Sequence, residues 1–333
     1  MRMHALLMAG IGLLALAVAA ARGGEPQAGD YRISGPYTQD NLTVFLIHGK
    51  DAIPGKQYLT LAEALEQKKV VVHETKEVNQ LTVENLSGDA DVYLEAGDIV
   101  KGGQQDRVLI TDMILQPKSG KAPIPCCCVE ASRWTKRGTE DATKFEASPG
   151  KAAGKEIQLA AQQSRNQAMV WRKVAEAQMR LGRNLGQSVQ AGASPTSLQL
   201  SQEDKKLLET VERYVKELGK APEGKSDVIG YAAAINGKVE SADVYGSAAL
   251  FAKLWPRLLR ASAIEAVAAL QPGKKVEPAT AAAVTAMLAD ADKGKKKEEQ
   301  DVGGRVHLTT RESEKNVLFE TRDREQPLHK SYK

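Results

Sequence analysis

Between residues 37 and 134 apolar side chains fall mostly on every second position, and Gly, Pro, Asn and Asp punctuate the runs. That alternation predicts a succession of strands, each burying one face. Residues 42–47 (Leu-Thr-Val-Phe-Leu-Ile) read as a strand. Residues 60–67 interrupt the pattern as a short helix, because Thr60 and Glu63 stand at capping-box spacing. Strands over 70–78, 81–85 and 92–94 follow, turning at Asn79-Gln80 and Ser87-Gly88-Asp89. Residues 107–115 and 123–129 then pair to complete a sandwich-like or rolled sheet.

Beyond residue 150 the period lengthens. Across 155–181, Leu159, Met169, Val170, Val174, Ala177 and Leu181 lie near one face of a long helix. Residues 182–195, rich in Gly, Ser and Gln, read as a mobile loop. A second helix begins at Ser201, carries Leu207, Leu208, Val211, Val215 and Leu218 at helical spacing, and stops at Gly219. Residues 228–245 give the clearest hairpin, with Asn236-Gly237 supplying both positive-φ positions of a type I′ turn. A helix over 248–270 is expected to break or restart at Pro256, which has no N–H to donate. An Ala-rich helix over 277–290, a solvated charged loop at 293–299 and a hairpin of 306–310 with 317–321 follow. There is no internal repeat. The expected fold class is α+β. An N-terminal antiparallel β-rich, sandwich-like part (36–135) packs with helices and a second hairpin–helix part (150–333). Together they form one domain behind a polar linker at 24–35.

Composition matters most at the N-terminus. Arg2 and His4 precede an unbroken apolar run over residues 5–21 that ends in Ala19-Ala20-Ala21. A positive start, a short apolar core and a small-residue exit define a bacterial-type signal peptide over 1–23, cleaved after Ala21 or Gly23. Retention of the leader as an anchor is the alternative. No later run is long enough to span a bilayer. The expectation is an exported protein, periplasmic or extracellular, with no stable membrane span after cleavage. Without Arg2 and Arg22, 44 basic residues face 42 acidic ones. That balance leaves no electrostatic footprint for nucleic acid, and 5% aromatic residues supply few stacking platforms.

Candidate chemistry concentrates in two segments. The first runs Glu95-Ala96-Gly97-Asp98-Ile99-Val100-Lys101-Gly102-Gly103-Gln104-Gln105-Asp106-Arg107, and the second Cys128-Val129-Glu130-Ala131-Ser132-Arg133-Trp134. Read functionally, they form a ligand face. Lys101, Arg107 and Arg133 bind an anionic group, Glu95 or Glu130 orients it, and Gly97, Gly102 and Gly103 let backbone N–H groups approach. Gln105 and Trp134 complete the face. Read architecturally, the same residues are an ion-pair cluster fixing a sheet end. Arg107 then pairs with Glu130, Arg133 reaches Glu130 or Glu95, and Trp134 covers a guanidinium.

These segments resemble the hallmark of the ARPP-1 domain family, a Gly-Glu/Asp…Gly-Gly-x-Gln-x-Arg element followed by Pro-x-x-Cys-Val-Glu-x-x-Arg-Trp. Gln167-x-x-Val170-Trp171 and the region 228–255 are similar too, so the resemblance runs from about Gly35 to about Leu270. Asp106 stands where the pattern has Asn, and Cys126-Cys127 precede Cys128 where other residues are usual. The family name records genomic association with ADP-ribosylglycohydrolases and phosphatases, and association is not an activity.

Cys126, Cys127 and Cys128 are contiguous and odd in number, so they read as three small buried thiols, with a redox pair as the minor alternative. No metal or cofactor is expected. The histidines show neither His-x-x-x-His nor His-Glu-x-x-His spacing, no Lys-Ser/Thr follows the glycines, and Gly-x-Ser-x-Gly is absent. With no complete catalytic motif, the leading reading is a non-catalytic extracytoplasmic binding or scaffold module for a small anionic ligand or an envelope protein. The alternatives are an enzyme acting on an anionic, ADP-ribose-like substrate and a structural envelope protein.

Overall fold

The computed structural model describes residues 30–151, 154–274 and 276–333, so the leader lies outside the described residues. The chain opens with a hairpin of β1 (Arg32–Gln39) and β2 (Leu42–His48), and strand structure therefore starts inside the stretch read as a linker. Strand β3 (Tyr58–Thr60) runs straight into α1 (Leu61–Glu66). The capping box there is formed: the Thr60 hydroxyl accepts the Glu63 N–H, and the Glu63 carboxylate accepts the Thr60 N–H. Seven strands follow, namely β4 (Val70–His73), β5 (Gln80–Asn85), β6 (Asp91–Leu94), β7 (Asp98–Gly102), β8 (Arg107–Leu109), β9 (Met113–Leu115) and β10 (Gly120–Cys128). Strand β11 (Phe145–Lys151) then leads to helices α2 (Lys155–Gln162), α3 (Gln167–Leu185), α4 (Leu198–Gln202) and α5 (Lys205–Leu218). After the hairpin β12 (Val228–Ile235) and β13 (Lys238–Tyr245) come α6 (Ala248–Ala268) and α7 (Ala281–Asp292). Strands β14 (Lys295–Val302), β15 (Val306–Glu312), β16 (Val317–Asp323) and β17 (Gln326–Tyr332) follow.

The α+β class is therefore correct, but the strands of residues 36–135 do not all join one sheet. They are shared among three. The largest has the order β1-β2-β12-β13-β17-β16-β15-β14, the second β11-β7-β8-β10-β5-β4, and the smallest β3-β6-β9. The ladders are antiparallel except β3 with β6. Both faces of the large sheet are covered, which is why every residue of β2 and β12 is buried. On one face Phe45, Ile47, Ala232 and Ala234 meet Val284, Met287 and Leu288 of α7. On the other, Val44, Leu46, Tyr231 and Ala233 join a central core with α5, α6 and the remaining strands. The second sheet is sandwiched likewise. Val100, Leu109 and Cys126 face the central core, while Ile99, Val108 and Cys127 pack on α2 and α3. Alternation along β10 thus sends adjacent cysteines into different cores.

Four local expectations are corrected. The helix over 155–181 is two helices, because Arg165 takes φ 46° and Asn166 caps α3 by accepting the Met169 N–H. Residues 107–115 split at Asp112, leaving β8 in the second sheet and β9 in the smallest. The charged run 293–299 is not a loop. It becomes the edge strand β14, whose exposed run of three Lys and two Glu blunts further pairing. Pro256 sits inside an unbroken α6 on its exposed stripe with Ala249 and Ala252, while the packing of Leu254, Trp255, Leu258 and Leu259 outweighs the missing bond. The loop after α3 is also packed down, with Val189 and Ser194 buried.

The C-terminal end of α6 is held from three directions. Asn41 donates to the Ala266 carbonyl (2.9 Å), Asn184 to those of Val267 and Ala268 (2.8 and 3.0 Å), and Asn236 to that of Ala269 (2.8 Å). The carbonyls a helix end leaves unpaired are thereby bonded to side chains from the β1–β2 turn, α3 and the β12–β13 turn. Asn236 and Gly237 occupy that last turn at φ 50° and 78°, as a type I′ turn requires.

Candidate functional site

The Gly-rich and Arg/Glu segments meet at one end of the second sheet as a closed network. Arg133 donates to Glu130 (Nε–Oε1 2.6 Å) and to the carbonyls of Gly102, Gly103 and Thr135. Arg137 forks onto Asp106 (3.0 and 3.1 Å), so the aspartate standing where the resemblance has Asn is matched by a guanidinium. Gln105 donates to the Glu130 carbonyl. The amide N–H groups of the two glycines are already bonded, Gly102 to Asp106 and Gly103 to Lys144. Burial works to raise the Glu130 pKa, yet its bond from Arg133 brings it below the ordinary value. Arg107 is fully buried and bonds the Gln105 carbonyl (2.6 Å), with Glu74 rather than Glu130 as its carboxylate neighbour (3.6 Å). Trp134 covers Arg107, not Arg133, at 5.7 Å. Lys101 stands apart near the surface on Glu203 (2.9 Å). In this arrangement the guanidinium donors are turned inward, as an architectural clamp requires.

Glu95 belongs elsewhere. It accepts from Tyr245 (2.5 Å) and pairs with Lys151 (2.7 Å) inside a second ionic cluster buried between the two larger sheets. At its centre His329 is bracketed by Asp112 at Nδ1 (2.8 Å) and Asp243 at Nε2 (3.2 Å), and its ring stacks on Tyr245. Burial opposes charging the imidazole, but Asp112 and then Asp243 prevail and raise its pKa to about 9. Burial likewise works to raise Asp243, and Lys333, His329 and Lys151 hold it far below the ordinary range. Arg257 of α6 joins through Asp98 (2.9 Å).

This cluster continues to a small polar chamber of about 10 Å³, room for one water molecule, lined by Lys151, Asp243, Lys333, Tyr231 and Glu265. Gly154 and Glu265 also line a groove of about 880 Å³. Helices α2 and α3 form one side, the end of α6 another, and the β12–β13 turn a third. Its walls are largely apolar, with Ile157, Leu181, Leu198, Ile235, Ile264 and Leu270 among them. Glu265 accepts the Lys155 N–H at the first residue of α2 (2.8 Å), and no cation lies within 4.0 Å of its carboxylate among the described residues. Burial raises the Glu265 pKa and lowers those of Lys333 and Lys155. An apolar cleft ending in a few convergent polar groups with displaced pKa values is the usual form of a small-molecule site.

The sequence reading passed over this groove. Its one legible signal was Glu265, the sole charge in Ala261-Ser262-Ala263-Ile264-Glu265-Ala266-Val267-Ala268. The cysteines are free and buried. Burial raises all three thiols, Cys127 to about 11 and Cys128 to about 12. Among the described residues no group of three His, Cys, Asp or Glu is arranged to hold a metal ion, and no helix is long and apolar enough to cross a membrane.

No curated protein and no solved structure matches the chain significantly. A family model does, over residues 30–332, which takes in both ionic networks, the groove and the strands that carry them. The chain belongs to the ARPP-1 family, the ARG and Rhodanese-Phosphatase-superfamily-associated Protein domain.

Proposed function

We propose that the protein is a small-molecule-binding module that works outside the cytoplasm, with the groove between α2, α3, α6 and the β12–β13 turn as its site. The observation that carries this is that Glu265 lines both an apolar cleft of about 880 Å³ and the buried polar chamber beside it. The Arg133 network and the His329 cluster support the site from outside it, because their hydrogen bonds are already made. The export reading rests on the basic start, apolar run and small-residue exit of residues 1–23.

The test is a thermal-shift screen of the purified protein against nucleotides, ADP-ribose, phosphorylated sugars, amphipathic acids and wall glycans. Ala268→Trp, which builds an indole into the groove wall, is run in parallel. A ligand at a hundredfold its Kd adds about 2.7 kcal/mol. With an unfolding entropy of ~2.1 cal/mol/K per residue, that is a shift of about 4 °C for roughly 300 residues. Hits absent from Ala268→Trp support the groove, and hits that shift both proteins equally refute it. N-terminal sequencing of the envelope fraction should begin at Arg22 or Gly24; full-length protein confined to the cytosol refutes export.

A further inference from the structure

The charges around the groove are unequal. Five cations line it against three carboxylates. Lys155 and Lys238 share Glu240 at 4.0 and 3.4 Å, and Arg180 faces Glu156 at 3.7 Å. Arg183 and Lys274 have no carboxylate within 4.0 Å among the described residues. At the floor, Lys155 and Glu265 meet, and Glu265 also lines the chamber that holds Lys333. The apolar wall runs away from this point along Leu181, Ile264 and Leu270.

From this geometry we infer that the ligand is an amphipathic anion, its single carboxylate or phosphate headgroup set against Lys155 and Glu265 and its apolar body laid along Leu181, Ile264 and Leu270. This rests on the groove being the binding site. A second negative charge is the addition from which all the floor groups gain. Burial penalises the charged forms of Lys155 and Lys333, and an anion beside them restores those charges. Burial raises Glu265, and an anion beside it raises it further, toward the form whose O–H can donate to the headgroup. A cationic ligand meets the opposite response: both lysines repel it, and Glu265 must ionise to hold it.

The groups facing Glu265 are Lys155 of α2, Lys151 of β11, Tyr231 of β12, Glu240 and Asp243 of β13, and Lys333 after β17. Raising the pH ionises Glu265 and discharges the two lysines, so each change weakens an anion. The affinity therefore falls as pH rises.

Titration calorimetry with decanoate, decyl phosphate, decanol and decyltrimethylammonium, each below its micelle concentration, tests this. The two anions should bind at least tenfold more tightly than decanol, and the ammonium compound more weakly still. The decanoate Kd should rise as the pH is raised across a range in which decanoate itself stays ionised. Glu265→Gln, which keeps the acceptor for the Lys155 N–H, should flatten that rise. Equal affinities for the four compounds, or a pH-independent Kd in the parent protein, overturn the anion assignment. Absence of saturable binding by any of them overturns it as well. The groove reading fails separately: anion-selective binding that survives in Ala268→Trp places the site elsewhere.

Discussion

Changing His329 to Gln removes the imidazolium that Asp112 and Asp243 share, while leaving a side chain of similar reach. The cost follows from the geometry. Both carboxylates are buried, and each is within 3.2 Å of an imidazole nitrogen. Removing one partner of a buried ion pair costs ~3–5 kcal/mol, because the other charge stays behind. The raised pKa leads to a similar figure: an imidazole at about 9 instead of 6.5 carries about 3 kcal/mol of folding free energy. For a chain of roughly 300 residues this is a loss of about 5 to 8 °C in Tm. The sign with pH is fixed too. The folded pKa is raised, so the contribution is complete below about pH 6.5 and is lost as pH rises through about 9. Melting of parent and variant from pH 6 to pH 9.5 should therefore show a Tm gap that is widest at the acid end and closes on the alkaline side. Taking the gap removes titrations common to both proteins. Adding Asp112→Asn to the variant should recover part of the loss, since Asp112 has His329 as its one cationic neighbour among the described residues, whereas Asp243 keeps Lys333. A gap under about 2 °C, or one that is constant across the range, refutes the account of His329 as a buried structural cation.

Arg133→Ala should cost ~3–5 kcal/mol in chemical denaturation, since Glu130 and the Gly102 and Gly103 carbonyls lose their donor. Groove ligands should keep their affinity, and a selective loss of binding without destabilisation would return the Arg/Glu segment to the status of a site. Cys126, Cys127 and Cys128 should resist a thiol reagent in the native protein at pH 8 and react fully in denaturant. Rapid native labelling of any of them refutes that burial.

What could be read in the sequence was local. The Thr60/Glu63 capping box and the Asn236-Gly237 turn are fixed by residues within a few positions of each other, and both formed as expected. The partners of these elements were not legible, because β2 pairs with β12 across 180 positions, His48 opposite Val228. Charge concealed β14, where exposure on an edge strand suits Lys and Glu as well as a loop would. Glycine concealed β7, whose flanking Gly97 and Gly102 take positive φ and read as turn residues. The candidate site suffered the same way. Glu95 and Arg133 belong to neighbouring dense polar segments, yet Glu95 turns toward Lys151 and Arg133 toward Glu130. The groove draws its wall from α2, α3, α6 and a hairpin, none of which carries a motif of its own.

Strand β17 has one further consequence, in the order of folding. It follows β16 in the chain but lies between β16 and β13, with His329 opposite Tyr245 across 84 positions. Until it docks, β1-β2-β12-β13 and β16-β15-β14 are separate ladders, each with a raw inner edge, and the imidazole that joins the ionic cluster is missing. Such long-range closure is slow compared with local hairpins. The large sheet therefore stays open until its seam strand arrives, so its two halves form first and join last.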